Sequence, residues 1–141
     1  MKQKKQVFED SLSSTKAAVE EGIVLGGGVA LLQARSAIES LQLSPEETIG
    51  AQIVFKACEA PFKQIVSNAG LDSSLVLEQI QTKKGNFGFN AASEQVEDLL
   101  AAGIVDPAKV VKHALLFAAS TAGVILLSEA LIADAKEEEI E

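Results

Sequence analysis

The sequence predicts an all-α, multihelical fold with one small β-hairpin near residues 86–98, in a chain of 141 residues. Apolar residues make up 48% of the chain and aromatic residues only 4%, a mixture that suits packed helices better than a β-sandwich. Helical spacing of apolar residues recurs along most of the chain, and one stretch changes to a period of two. The length fits one domain that buries a core without disulfides or metal.

The first three predicted helices each have a clear boundary. Apolar residues at helical spacing predict a helix from Val7 to Glu21, with Gly22 as its C-cap. The glycines of "LGGGVALL" open a second helix over about 28–41. The stretch "SPEE" then offers an N-cap Ser44, a proline at the first helical position and a glutamate that completes a capping box, so a third helix begins there.

Proline and glycine divide the middle of the chain. Pro61 lacks a backbone donor, so the third helix should break or kink near Ala60 and resume to about Asn68, and Gly70 ends it. The stretch "DSSLVLEQIQ" supplies N-cap candidates for a short helix up to the turn "KKGN". Phe87 and Phe89 then alternate with other residues, which predicts the β-hairpin.

The C-terminal part is predicted to be helical. A short helix to Ala102 stops at Gly103, and Asp106 as N-cap with Pro107 at the first helical position starts a last helix over about 107–133. Residues 114–127 of that helix are apolar or small on every side, so we expect it to be surrounded, at the centre of the domain.

Charge and composition exclude several classes of function. The formal net charge of −8 argues against a nucleic-acid partner. Cys58 is the single cysteine, and its apolar setting predicts core packing rather than a reactive thiol. The longest uncharged apolar run, residues 114–128, is shorter than the ~20 residues of a membrane span. We therefore expect no membrane association and a cytoplasmic location.

Few residues suggest chemistry on their own. The phosphate loop GxxxxGK[ST] is absent, no Cys or His cluster has metal-ligand spacing, and His113 is the only histidine. A hydrolase triad and a zinc site are therefore disfavoured. A dinucleotide-binding fold is disfavoured because βαβ alternation and an acidic residue after a second strand are lacking. The glycine run before a helix leaves two readings open: an anion site made of backbone N–H groups, or a tight turn packed on a neighbouring helix.

Four blocks taken in order are more informative than any one of them. The sequence resembles the group I chaperonins (GroEL type), in the C-terminal part of the equatorial domain and the short return from the intermediate domain. The agreement runs from about Lys2 to Asp134. The matching blocks are "VFEDSLSSTKAAVEEGIVLGGGVALL", "ACEAPFKQIVSNAG", "GNFGFNAAS" and "AGIVDPAKVVKHALLFAAS".

The resemblance implies an ATP site. Gly27 would lie against the bound nucleotide, and Asp106 would accept hydrogen bonds from the ribose hydroxyls. Ile104 would flank the base, and Asp10 matches the family's catalytic aspartate, which orients the attacking water when the intermediate domain closes. The adenine pocket would be lined by Asn90, Ala91 and Ala92.

The resemblance also implies what this chain leaves to other parts of a subunit. Residues 1–21 would be the return helix of the intermediate domain, and residues 22–141 part of the equatorial domain. Mg²⁺ would be held by an N-terminal part with a Gly-Asp-Gly-Thr-Thr motif, which this sequence lacks, so hydrolysis by this chain alone is not expected. Unfolded polypeptide and the co-chaperonin would bind through domains that do not match here.

The expected partners are other chaperonin subunits, within and between rings. Charged contacts between rings would involve Lys63 and Asp72, with Ser74 and Leu75 beside them. The alternative function is a stand-alone helical self-assembly module without ATPase activity. In the isolated chain, apolar surface that meets other equatorial helices in the family should lie open and drive self-association, most simply into a two-fold dimer.

Overall fold

The fold is mostly helical, with two small pairs of strands. The computed structural model describes residues 2–83, 85–130 and 132. The elements in chain order are α1 (Lys2–Glu21), β1 (Ile23–Leu25), α2 (Val29–Glu39), α3 (Pro45–Ala57), α4 (Ala60–Asn68), α5 (Ser73–Thr82), β2 (Phe87–Asn90), β3 (Gln95–Asp98), β4 (Val105–Pro107) and α6 (Ala108–Leu127).

The predicted hairpin is confirmed. Strands β2 and β3 pair antiparallel, with Phe89 opposite Val96 and Asn90 opposite Gln95. Gly88 and Phe89 are buried, and Phe87 and Asn90 are half-buried, so burial in β2 does not follow the alternation of the sequence. The turn that joins the strands, residues 91–94, is exposed.

A second strand pair was not predicted. Strand β1 pairs antiparallel with β4, and Val24 lies opposite Asp106. The expectation that Asp106 caps the last helix is therefore wrong, because its backbone belongs to β4. Pro107 is the N-cap rather than the first helical residue, since pairing with Ile23 holds it in an extended conformation, and α6 begins at Ala108.

The short helix expected before Gly103 is also absent from the described chain, where residues 99–103 form a single turn. The Ile104 N–H donates to Leu99 O and the Gly103 N–H donates to Leu100 O, which is the hydrogen-bond pattern of a Schellman motif. Gly103 has φ +73°, the left-handed conformation that this motif requires. The motif ends the helical segment after one turn.

The core lies where α2, α4, α5 and the β2–β3 hairpin meet. Phe62, Val66 and Leu99 are fully buried, with Val29 almost so, and Phe89 of the hairpin belongs to the same cluster. Cys58 is 2% exposed beside α4, and burial raises the pKa of its thiol, so the prediction of a core cysteine is confirmed. This core fixes the hairpin against the start of α2.

Three helix boundaries in the middle of the chain follow the predicted signals. Ser44 caps α3 in a complete capping box with Glu47, and Asp72 caps α5 by accepting from the Ser74 N–H at 2.8 Å. The helix around Pro61 breaks as expected, because α3 ends at Ala57 and α4 begins at Ala60. These boundaries are local, so the sequence alone specifies them.

A nearly buried ion pair joins α2 to the start of α4. The Arg35 guanidinium, 8% exposed as a residue, donates to Glu59 Oε1 and lies 4.5 Å from the centre of the Phe55 ring. Lys63 Nζ lies 2.6 Å from the other carboxylate oxygen of Glu59. Hydrogen bonding from Lys63, together with the charge of Arg35, lowers the pKa of Glu59. Two cations therefore share one carboxylate.

Helix α6 is exposed, so the expectation that it lies at the centre of the domain is wrong. No residue of the helix is buried, and the helix ends at Leu127, where Ser128 turns to an extended conformation, rather than near residue 133. Residues 128–130 and 132 lie outside helices, and residue 133 lies outside the described residues. By length and composition alone, α6 is one helix that could cross a membrane. Ion pairs from Lys109 to Glu20 and from Lys112 to Glu21 attach its first turns to α1.

Candidate functional site

The three consecutive glycines have different surroundings. A Cβ atom on Gly28 would lie 2.7 Å from Phe62 N, so packing against α4 excludes any side chain there. A Cβ on Gly26 would lie 3.1 Å from Ile104 Cγ2, a tight contact. A Cβ on Gly27 would make only ordinary contacts, at 3.5 Å from Phe89 O and 3.7 Å from Leu99 Cδ1. Packing within the chain thus accounts for Gly26 and Gly28 but not for Gly27.

Gly27 has a left-handed backbone conformation. It is half-buried with φ +63°, a conformation that glycine adopts without steric cost. Gly28, the N-cap of α2, has φ +77°, so two residues in succession bend the chain away from β1. The bend leaves Gly27 beside the carbonyl of Phe89, the residue before Asn90.

The β1–β4 pair brings the glycine turn to Ile104. The Gly26 N–H donates to Ile104 O at 3.0 Å and so extends the pairing of Leu25 with Val105 by one more hydrogen bond. Ile104 is half-buried and packs against the edge of the core. Residues that are about eighty positions apart in sequence therefore share one surface.

Asn90 holds the hairpin turn in place. Its Oδ1 accepts from the Ala92 N–H at 2.9 Å, and its Nδ2 donates to Glu97 Oε1. The side-chain oxygen can accept one more hydrogen bond and the NH₂ group can donate one more, so Asn90 can still contact a ligand. Ala91 and Ala92 are exposed and carry no side chain beyond Cβ, which leaves a smooth surface at the turn.

Asp106 is a carboxylate at a half-buried position on β4. Burial raises the pKa of Asp106 above its usual value. A carboxylate that stays partly desolvated is unfavourable for the fold, and such groups are found more often at functional sites than elsewhere. A carboxylate is also a suitable acceptor for sugar hydroxyls.

Asp10 lies apart from these residues. It is exposed on α1, eleven residues before Glu21, which is roughly 16 Å along the helix axis at 1.5 Å per residue. The end of α1, not its middle, adjoins the β1–β4 pair. The structure therefore brings Gly27 next to Phe89, the residue before Asn90, and Gly26 next to Ile104, whereas Asp10 lies elsewhere on α1.

The residues expected at a ring contact lie on the corner formed by α4 and α5. Lys63 pairs with Glu59, and Asp72 serves as the N-cap of α5. Ser74 is exposed, and Leu75 is 61% exposed. The corner therefore presents an apolar side chain beside two charged groups that both have partners within the chain.

Sequence reasoning missed the β1–β4 pairing and the role of Glu97. The runs "IVL" and "IVDP" are short and rich in β-branched residues, and this was the available signal for two paired strands. Glu97 supports the hairpin turn by accepting from Asn90 and from Ser93 Oγ. Its position opposite Gly88 in the hairpin register follows only from the fold.

Clusters of metal-ligating side chains are not found among the residues that the structure describes. A groove of about 350 Å³ between α2 and α3 is lined by apolar residues that include Leu41 and Phe55. None of the predicted nucleotide residues lines that groove. Ile104 and Asp106 are half-buried, and Ala91 and Ala92 are exposed at the hairpin turn.

The residues that the structure describes form a mostly helical fold with a glycine turn and a small hairpin. The model of the TCP-1/cpn60 chaperonin family matches residues 1–136, and the chain belongs to that family. The match covers every element described above.

Within the family, the chain is a GroEL-type segment. It is 63% identical over all 141 residues to "Chaperonin GroEL 3" of Protochlamydia amoebophila (strain UWE25), and it covers 26% of that protein. Among solved structures, it is similar to a group III chaperonin in the open state, with a TM-score of 0.73 and 30% identity over 82% of this chain and 25% of that one. The chain thus spans about a quarter of the length of these relatives.

Proposed function

We propose that this segment forms one wall of the ATP site in a subunit of an ATP-dependent folding chaperonin. Gly27 lies against the nucleotide, the hairpin turn from Asn90 to Ala92 and the side chain of Ile104 border the adenine, and Asp106 accepts from the ribose hydroxyls. The observation that supports this most is the difference between the glycines: chain packing excludes a side chain at Gly28 and crowds one at Gly26, whereas at Gly27 only the left-handed backbone disfavours one.

The residues present fit the base and the ribose of a nucleoside triphosphate, but not its phosphates. An apolar border, small alanines and a partly desolvated carboxylate suit a base and its ribose. Groups that grip the phosphates and Mg²⁺ would come from the rest of the subunit, as would the surfaces for unfolded polypeptide and the co-chaperonin. We accordingly propose no ATP turnover by this chain alone.

Asp10 is proposed to act as the catalytic aspartate after a movement of α1. In the described conformation it lies roughly 16 Å along the helix from the strand pair, so the helix would have to swing toward the nucleotide. On this proposal, residues 1–21 belong to the moving intermediate domain and residues 22–141 to the equatorial domain. The cytoplasm is the location that fits such a chaperonin.

The test is ATP hydrolysis by a hybrid subunit in which this segment replaces the matching quarter of the 63% identical relative. We expect the hybrid to hydrolyse ATP and Asp10→Ala to reduce kcat at least 100-fold with a small change in nucleotide affinity. Glu9→Ala is the matched control, since Glu9 is the exposed neighbour on the same helix and pairs with Lys5 at the surface. Equal losses for both variants would refute the assignment of Asp10.

Contacts between rings are proposed at the corner of α4 and α5. Because Lys63 already pairs with Glu59, its reversal to glutamate would place two carboxylates together and disturb any opposing acidic surface. In hybrid double rings, Lys63→Glu should increase the single-ring population in a salt-sensitive way. Lys16→Glu, on exposed α1, is the control. An unchanged double-ring population in the Lys63 variant would exclude this contact.

A further inference from the structure

The side-chain amide of Asn90 is held in one orientation from two sides. Its Oδ1 accepts from the Ala92 N–H at 2.9 Å, and its Nδ2 donates to Glu97 Oε1. A backbone N–H can only donate a hydrogen bond, and an ionised carboxylate can only accept one. Turning the amide over would therefore break both hydrogen bonds.

The register of the hairpin explains why the carboxylate of Glu97 reaches Asn90. Asn90 lies opposite Gln95, and Glu97 is two positions further along β3, so Asn90 and Glu97 are diagonal neighbours on one face. Gly88 lies directly opposite Glu97, and a Cβ there would lie 2.4 Å from Leu99 Cδ1. The position opposite Glu97 therefore has no side chain that could compete for the carboxylate.

Glu97 forms its described hydrogen bonds with neutral groups of the hairpin turn. Ser93 Oγ donates to the same carboxylate oxygen as Asn90, at 3.2 Å. Within residues 2–83, 85–130 and 132, no lysine or arginine forms an ion pair with Glu97, although its residue is half-buried. Since a carboxylate that leaves water usually pairs with a cation, this one serves the turn instead.

A fixed amide can distinguish two purine bases. The Asn90 amide has one acceptor position and one donor position left after its two hydrogen bonds. On its Watson–Crick edge, adenine has an amino donor beside a ring-nitrogen acceptor, and guanine has an acceptor and a donor in the reverse order. An amide that can turn over matches either base, whereas an amide with one orientation matches only one of them.

We propose, on the basis of the proposed nucleotide site in which Asn90 borders the adenine, that Glu97 is a positioning residue for base selectivity. Glu97 does not touch the base. It holds the Asn90 amide in the orientation that complements the edge of adenine and opposes that of guanine. The site thereby selects ATP over GTP.

The test is the ratio of the dissociation constants for GTP and ATP, measured with Mg²⁺ on the hybrid subunit. Glu97→Leu should lower the preference for ATP about 10-fold, because the Ala92 N–H alone then opposes turning of the amide. Glu97→Gln keeps a side-chain acceptor at this position and should retain most of the preference. Gln95→Leu, the same substitution at an exposed position of β3, is the matched control. Equal preference in Glu97→Leu and the parent hybrid would overturn the proposal.

A second substitution in the turn separates positioning from stability. Glu94 has φ +56°, a left-handed conformation that glycine adopts more readily, so Glu94→Gly should stabilise the turn. Added to Glu97→Leu, it should raise the midpoint of urea unfolding and leave the preference for ATP low. Recovery of the preference in the double variant would show that Glu97 acts only by stabilising the turn, and would overturn the proposal.

Asn90→Ala distinguishes failure of this proposal from failure of the proposed function. It should weaken ATP binding about 10-fold and remove the selectivity, because the amide itself is lost. Unchanged ATP affinity and selectivity in Asn90→Ala would refute the contact of Asn90 with the base, and the role of Glu97 with it. Loss of selectivity in Asn90→Ala, together with full selectivity in Glu97→Leu, would refute the role of Glu97 alone.

Discussion

Gly27 and Gly28 have nearly the same backbone conformation, with φ +63° and +77°, and yet we assign them different roles. At Gly28 a side chain would overlap Phe62, a residue with no exposed surface, whereas at Gly27 a Cβ would make only ordinary contacts with Phe89 O and Leu99 Cδ1. We therefore assign Gly28 to the fold and propose that Gly27 contacts a ligand. The sequence "GGG" could not distinguish them, because the difference lies in α4 and the hairpin, far away in sequence.

Alanine substitutions should separate these two roles. Gly28→Ala is expected to lower the free energy of unfolding by about 2–4 kcal/mol, from the positive φ and the overlap with α4. Gly27→Ala should cost only about 1–2 kcal/mol, from the backbone alone, but should weaken ATP binding by the hybrid subunit at least 10-fold. Urea unfolding of the chain and nucleotide titration of the hybrid measure the two effects.

Gly50→Ala is the control for helix propensity in this series. Gly50 lies within α3 with open space around it, so alanine should stabilise the chain by about 0.5–1 kcal/mol. A Gly27 variant that binds ATP as tightly as the parent hybrid would disprove the assignment of Gly27.

The ionised side chain of Asp106 is expected to lower the stability of the fold while it contributes to the proposed binding of ATP. Its folded-state pKa is raised by burial above the unfolded value of 3.8, so the folded state binds the proton more tightly. This contribution favours folding below pH 3.8 and is lost as the pH rises through the folded-state pKa. At neutral pH the ionised carboxylate therefore opposes folding, and Asp106→Asn should leave stability unchanged or raise it.

The same substitution should weaken ATP binding by the hybrid about 10- to 100-fold, the range for losing a hydrogen bond to a charged group. Asp98→Asn is the matched control, because Asp98 accepts from the Ala101 N–H and has no proposed ligand. A marked loss of stability in the Asp106 variant, with nucleotide affinity intact, would assign Asp106 to the fold instead.

At the scale of elements, the sequence predicted those boundaries that local chemistry sets. The capping box at Ser44, the cap at Asp72 and the break before Pro61 each depend on residues within a few positions of one another. The β1–β4 pair depends on residues about eighty positions apart, so Asp106 was read as a cap when it is a strand residue. Three-residue strands also carry too little periodicity to be recognised alone.

The Arg35–Glu59–Lys63 cluster should show how burial decides the strength of an ion pair. Arg35→Ala leaves the poorly exposed Glu59 with one cation fewer and removes the contact with Phe55, so we expect a loss of about 3 kcal/mol. Lys63→Ala should cost less than about 1 kcal/mol, because the lysine side chain is 40% exposed. Urea unfolding measures both, and equal losses would contradict this account of the cluster.

Acid should weaken the same cluster. Because the pKa of Glu59 is lowered in the folded state, its contribution is present above the unfolded value of 4.5 and is lost as the pH falls through the folded-state pKa. The loss of stability on acidification below pH 4.5 should therefore be smaller in Glu59→Gln than in the parent chain. Glu46→Gln, at an exposed position on α3, is the control. The same acid dependence in the Glu59 variant and the parent would exclude this role.

At the scale of the whole molecule, the misplacement of α6 has a physical cause. A helix that is apolar on every side must be covered, and a complete 141-residue domain would cover it at its own centre. The chain spans about a quarter of its relatives, so its own residues do not suffice, and the helix lies open. Periodicity identifies a surface that needs covering but not the polypeptide that covers it.

The nucleotide wall is the central claim, and photoaffinity labelling tests it most directly. The hybrid subunit is irradiated with 2-azido-ATP and Mg²⁺, and the labelled peptides are sequenced. We predict adenine-dependent labelling within residues 88–106, at the hairpin turn or Ile104, suppressed by excess ATP and reduced by Gly27→Ala. Labelling confined to the rest of the subunit, in a hybrid that still hydrolyses ATP, would contradict the claim.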